Sequence, residues 1–286
     1  MEWLKNLSRA IDYIEQNLEG EILYDQAAQI ACCSVFYFQR VFSYVAGVSV
    51  SEYIRRRRMT LAAFELQKGN TKVQDVGAKY HYVSPASFNR AFQAVHGVTP
   101  SAAKIPGTQL NAYPKLGFSI NVTGGESMKY RIEKKDATQV VGVHTSLVED
   151  DVQNRDICAS FWRSCARDGS LSRIVNLDTD PAKQILGISY YKNTDDVRYY
   201  IAAESNTEAP EDMEVLLLPA SEWAVFSCNG RFPQTVQDAY KQFYTEWLPF
   251  SGYQVPQMAD MEIYPVTDTL LESGIYELWI AVEKEG

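Results

Sequence analysis

Histidine is scarce in this 286-residue chain, with His81, His96 and His144 standing far apart, so no zinc site is expected. The five cysteines (Cys32, Cys33, Cys158, Cys165 and Cys228) are odd in number and lack metal-ligand spacing. That excludes a disulfide framework and points to reduced thiols in a cytoplasm. No Ser-His-Asp or Cys-His constellation is visible, no apolar run is long enough to span a bilayer, and the N-terminus is not signal-like. The expectation is a cytoplasmic protein with no cofactor and no membrane partner. Positive charge is also scarce overall, with a net charge of −9.

What is present is unevenly distributed. With 46% hydrophobic residues, the length suits two domains with substantial cores. Residues 1–106 hold 12 Lys and Arg against 9 Asp and Glu, a net +3. Residues 107–286 hold 15 against 27, a net −12. An acidic whole conceals a basic part.

The basic part repeats itself. Ser34 to Phe42 (S-V-F-Y-F-Q-R-V-F) returns fifty residues later as Ser84 to Phe92 (S-P-A-S-F-N-R-A-F). Ser34 pairs with Ser84, Phe38 with Phe88, Arg40 with Arg90, Phe42 with Phe92 and Gly47 with Gly97. A repeat of this length means two copies of one supersecondary unit. Each copy reads as a short helix, 24–30 or 73–80, a turn, then a helix capped by serine, with Pro85 at the first position of the second. The capped helices are expected at 34–43 and 84–93. Their phenylalanines, four apart, form an inward stripe. Phe36, Tyr37, Gln39 and Arg40, and then Ala86, Ser87, Asn89 and Arg90, are expected to face outward. Arg pairs bidentately with guanine and Gln or Asn with adenine in the major groove, so these capped helices suit base reading. Of the run Arg55–Arg58, which covers a whole helix circumference, Arg55 and Arg58 are the candidate phosphate contacts.

With those motifs, the long helix around Tyr53–Met59 and the ending Gly97-Val98-Thr99-Pro100-Ser101, residues 1–106 resemble the DNA-binding domain of the AraC/XylS family of transcription regulators. The resemblance implies double-stranded DNA as partner, two helices entering successive major grooves, and RNA polymerase as a further candidate partner. Pro85 and Ala86 depart from the polar residues common in the family, so Arg40 is expected to matter more than Arg90.

Past Ile105 the texture changes. Pro106, Gly107, Pro114 and Gly124-Gly125 mark a linker, 107–127, with a strand expected at Phe118–Val122. Residues 128–286 then alternate at strand period, as in Val141–Val143, Tyr199–Ile201 and Leu278–Ile280. Two helices interrupt, near 156–167 and 233–250. A faint duplication lines Lys134–Val141 up with Leu217–Ala224 at an offset of 83. The expectation is a multidomain chain: an all-α double helix-turn-helix domain, then an α+β domain of two pseudo-symmetric halves around a cleft.

Leu218-Pro219-Ala220, Ala224-Val225-Phe226, Trp247-Leu248-Pro249, Met261-Glu262-Ile263-Tyr264 and Glu277–Val282 carry a second resemblance, to the gyrase-inhibitor-like (GyrI-like) effector-binding domain. Together the two resemble a Rob-like architecture. The resemblance implies a small-molecule effector, lipophilic or cationic, with Glu262 as its carboxylate contact in an aromatic cleft. Trp162, Tyr190, Tyr191, Trp223, Tyr240 and Tyr264 are the candidate walls. Two alternatives stay open: a hydrolase using Glu262 and a tyrosine, and a protein-interaction module.

Overall fold

The computed structural model describes residues 2–117, 128–148, 150–178, 183–193, 196–230, 234–256, 258–266 and 274–284. The expected strand at 118–122 lies outside them. The chain divides into two compact units, residues 1–121 and 122–286.

The first unit is helical: α1 (Glu2–Gln16), α2 (Tyr24–Ile30), α3 (Val35–Ala46), α4 (Val50–Gln67), α5 (Val73–Lys79) and α6 (Pro85–His96), then a 3-10 turn at Ala102–Lys104. Helix α1 buries Leu7, Ala10, Ile11 and Ile14, the spacing of one helical face. The two repeats close in the same way at both ends. Ser34 Oγ accepts the Tyr37 N–H and Ser84 Oγ the Ser87 N–H, while Gly47 and Gly97 end the helices at φ 71° and 73°. Only glycine adopts that left-handed conformation without a Cβ penalty. Helix α4 serves both copies. Its Tyr53 packs on Phe42 at 5.4 Å, and its Met59, Ala62, Ala63 and Leu66 share a core with Val76, Phe88 and Phe92.

The first half of the expected linker is fastened to this unit. The Asn111 amide donates to the Val95 carbonyl at 2.7 Å, and Lys115 pairs with Asp12 at 2.5 Å. Tyr113 N–H donates to Thr60 Oγ1 at 3.0 Å, and its carbonyl accepts from Arg57 Nη1 at 2.5 Å. Leu110 and Tyr113 add apolar contact to the helical core. Proline and glycine suggest a free tether by composition; their neighbours' hydrogen bonds make it a strap.

The second unit is one antiparallel sheet with helices: β1 (Tyr130–Lys135), β2 (Thr138–Ser146), α7 (Asp151–Asp168), α8 (Ser170–Leu177), β3 (Gln184–Tyr191), β4 (Val197–Glu204), β5 (Glu214–Leu218), β6 (Ser221–Gly230), α9 (Gln234–Gln242), a π-helical turn (Phe243–Trp247), α10 (Leu248–Ser251), β7 (Tyr253–Gln254), β8 (Ala259–Pro265) and β9 (Gly274–Lys284). Strand order is β1-β6-β9-β8-β3-β4-β2-β5, with β7 beside β9. The sequence reading places a helix near 156–167 but not α8, which turns off α7 at Gly169 (φ 84°).

That order is a palindrome, and its registers locate the symmetry axis. Reading across the sheet, Val143 pairs with Ile201, Ile201 with Gly187, Gly187 with Glu262, Glu262 with Leu278, and Leu278 with Phe226. Val143 and Phe226 are the residues that the offset of 83 equates. The residues equated at the middle are therefore Gly187 and Glu262 themselves. The pseudo-dyad runs through this one pair.

Candidate functional site

Strand alternation sorts every aromatic candidate by face. On β3, Gly187, Ser189 and Tyr191 share the face of Glu262, as do Asp260 and Tyr264 on β8. Helices α7 and α9 cover that face: Trp162 of α7 meets Tyr264 edge-on at 5.2 Å, and Tyr240 of α9 bonds Asp260.

Glu262 sits where four aromatic side chains converge. Its Oε2 accepts from the Tyr264 hydroxyl at 2.7 Å and the Tyr199 hydroxyl at 3.1 Å. The Trp162 indole N–H donates to the Tyr199 oxygen at 2.9 Å, which aims the phenol at the carboxylate. Tyr276 stands edge-on to Tyr264 at 5.2 Å. Trp162, Tyr199, Tyr264 and Tyr276 are all buried, and Glu262 partly so. Burial, then the adjacent Glu262 charge, pushes the Tyr199 and Tyr264 phenols well above their ordinary value. The same two causes push the Cys228 thiol up to about 12. These hydroxyls stay protonated at neutral pH and act as hydrogen-bond donors.

The space depends on glycine. A Cβ at Gly187 would lie 2.3 Å from the Tyr199 oxygen and 3.1 Å from Glu262 Oε2. The dyad partner of the carboxylate is thus a residue with no side chain.

Two expected walls belong elsewhere. Tyr190 follows Leu186 and Ile188 onto the opposite face of the sheet. Trp223 lies there too, packed on Trp279 at 6.3 Å. The reason is parity: each stands one residue out of step with the Glu262 face. A polar groove of about 480 Å³ opens on that opposite face, with Arg131 and Lys135 over the Trp279 ring. Its charges are paired among themselves, Arg131 with Glu277 and Lys135 with Glu204. Tyr191 and Tyr240 do join the Glu262 face, both as donors to Asp260. Sequence reasoning missed Tyr199, Tyr276, Asp260 and Gly187. Alternation from Glu262 would have found Asp260; nothing local tells which of Tyr199 and Tyr200 faces the site.

In the helical unit, α6 matches the expectation and α3 does not. Ala86 and Arg90 are exposed, with Ser87 and Asn89 half-buried. On α3, Phe36, Gln39 and Arg40 are buried, contrary to the outward reading, and Tyr37 is half-buried. The stripe at 36, 40 and 43 is covered, and the Arg40 guanidinium lies 5.7 Å from the Tyr44 ring. Two residues of the arginine run have structural partners instead of an open face. Arg58 donates to the Leu18 and Gly20 carbonyls at 2.9 and 2.7 Å, which corrects its candidacy as a phosphate contact. Arg57 grips Glu15 with two bonds of 2.8 Å, and Tyr53 donates to the same carboxylate at 2.6 Å. Burial pushes Glu15 up, but the Arg57 and Tyr53 hydrogen bonds outweigh it and leave its carboxyl lowered. Arg55 remains exposed, ion-paired with Glu52.

Among the described residues, no helix is long and apolar enough to cross a membrane, and no group of three or more His, Cys, Asp or Glu is placed to hold a metal. Comparison with known proteins agrees with both units. A family described as integron-associated effector binding protein matches residues 131–282, and a helix-turn-helix domain matches 27–104. The HTH-type transcriptional activator AarP of Providencia stuartii is 38% identical over 105 residues, 37% of this chain and 78% of that protein. The regulatory protein SoxS of Escherichia coli K12 is 32% identical over 101 residues, 35% of this chain and 94% of that one. The crystal structure of an integron cassette protein of Vibrio cholerae is similar over 54% of this chain and 95% of that one, with a TM-score of 0.38 and 15% identity. The chain is an AraC-type DNA-binding transcription regulator whose C-terminal half belongs to the integron-associated effector-binding protein family.

Proposed function

We propose that the C-terminal unit senses a small lipophilic cation at Glu262 and that its occupancy sets how well the helical unit binds DNA. The observation that carries this is the carboxylate on the pseudo-dyad, oriented by two phenols and walled by aromatic rings. A half-buried carboxylate favours an approaching positive charge, and ring faces attract a cation that is itself apolar. Ligand binding then shifts the population of DNA-competent states in proportion to its preference between them.

The site favours holding over reacting. Tyr199 and Tyr264 are locked as donors, and Cys228 is far from ionised at neutral pH. The raised Cys228 thiol is thus no activated nucleophile, while the Glu262 carboxylate beside the two phenols makes turnover of a bound ligand the observation that would favour the hydrolase reading.

DNA reading on this account leans on α6, with Ser87, Asn89 and Arg90 at the bases and Tyr37 contributing from α3. This reverses the ranking expected from Pro85 and Ala86, because Arg40 is buried and Arg90 is exposed. Arg90→Ala should cost about 1–3 kcal/mol of specific DNA affinity. A larger loss for Arg40→Ala would restore the opposite order.

For the effector, the test is calorimetric titration of the full chain with benzyltrimethylammonium and a neutral isostere. Cation binding that weakens in Glu262→Gln supports the assignment. Equal binding of the neutral compound, or indifference to the substitution, refutes it.

A further inference from the structure

We infer that two copies of this chain pair edge to edge through β5, antiparallel about a two-fold axis at Leu216, so that one sheet runs across both.

The sheet has two edges, and the fold relates them. Among the described residues, β1 pairs only with β6, and β5 only with β2. Strand β1 leads into β2 and β5 into β6, and one register runs through both pairings, with Lys135 opposite Ser221 and Thr138 opposite Leu218. The four strands form a single bent ribbon, and the offset of 83 exchanges its two ends. Ile132 on one edge therefore corresponds to Val215 on the other, Lys134 to Leu217 and Lys135 to Leu218.

The two edges have diverged in character. An edge strand presents backbone N–H and C=O groups to any other strand, and charged side chains, lysine above all, discourage that pairing. Strand β1 (Y-R-I-E-K-K) carries four charges in six residues. Strand β5 carries none after Glu214, and the next charge along the chain is Glu222. Val215 and Leu217 are instead 50% and 62% exposed, and alternation sets them on one face. One edge is guarded and its mate is open.

Charge and register decide what covers it. Residues 107–286 are net −12, so two copies repel except where charge is absent. The carboxylates bordering the strip are answered within their own chain: Asp212 by Arg173, Glu214 by Arg198 and Glu222 by Lys134. A basic partner is offered nothing there, whereas a second uncharged strip leaves no charge opposed. A two-fold at Leu216 sets Val215 of each copy opposite Leu217 of the other. The exposed apolar residues of the edge then cover one another, on the face where both already lie. Such a contact is self-complementary and closes at two copies. Pairing β5 with β1 would be head-to-tail and open-ended, and the charges of β1 oppose it.

The experiment is sedimentation velocity of the full chain over a concentration series. One short strand makes a small interface, so the dimer should dissociate in the micromolar range. Leu217→Lys should hold the chain monomeric throughout the series. Ile132→Lys, which adds a charge to the other edge, should leave the dimer intact. Both side chains are exposed, so neither change disturbs the core. A second arm reads the register: Val215→Cys and Leu217→Cys chains are mixed and oxidised with diamide. The mixture should give disulfide-linked pairs above the wild-type background, and either variant alone should not. A monomer at every concentration, a dimer that survives Leu217→Lys or dissolves in Ile132→Lys, or no extra cross-linking in the mixture overturns the β5 pairing.

Discussion

The chain contains two duplications that have diverged in opposite ways. In the helical unit both copies keep the same cap, the same phenylalanine pair and the same closing glycine, with ring spacings of 6.1 Å in one and 5.7 Å in the other. In the sheet unit the halves keep only backbone. At the dyad one half has Gly187 and the other Glu262, and one step out Ser189 answers Tyr264. A reader of repeating DNA gains from two similar modules. A pocket on a symmetry axis has room for one central side chain, and the other half must yield it.

Four measurements would break or sharpen this contrast. The largest effect belongs to the shared helical core: Phe42→Ala and Phe92→Ala should each cost about 3–5 kcal/mol in chemical denaturation, and by similar amounts. A several-fold difference would mean that the copies are unequal in structure as well as in sequence. At the dyad, Gly187→Ala drives a Cβ into the Tyr199 oxygen and should weaken cation binding by about tenfold, or 1.4 kcal/mol. Unchanged binding would show that the glycine is not required by the site. The caps come next, with Ser34→Ala and Ser84→Ala each lowering stability by about 1 kcal/mol.

The smallest effect is pH-dependent. His96 is buried between α6 and α4, its Nε2 3.0 Å from the Met59 carbonyl. Burial lowers its pKa below the ordinary 6.5, although the Met59 and Asn111 carbonyls oppose this. The unfolded chain therefore protonates first. Its contribution is present in full above pH 6.5 and is lost as pH falls. The melting temperature of the helical unit should drop on acidification, and less so in His96→Gln. Equal drops in both would remove His96 from the account.

The helical duplication was legible because its signals are local: a serine cap, phenylalanines four apart and a closing glycine each act within one turn of helix. The strap was not legible, since Arg57 reaching Tyr113 and Thr60 reaching the same residue are contacts across some fifty positions. In the sheet unit, the offset of 83 exposed the pseudo-symmetry, and Glu262 stood out by resemblance. Its true neighbours did not. Tyr199 and Gly187 come from strands whose register decides the face, and register is a property of pairing. Trp223 and Tyr190 were misplaced for the same reason. On α3 the phenylalanine stripe follows from Phe38 and Phe42, but Phe36, Gln39 and Arg40 are buried too, which a helical period cannot show.

The most direct test of the whole account couples the two units. The full chain would first select its preferred sites from a random DNA pool. Its affinity for those sites would then be measured with and without saturating benzyltrimethylammonium, in wild type and in Glu262→Gln. The account predicts that the ligand changes DNA affinity in wild type by about 5–150-fold, the usual range of allosteric coupling. In Glu262→Gln the DNA affinity without ligand should be preserved and the response lost. A response that survives the substitution, or ligand binding that leaves DNA affinity untouched, would contradict it.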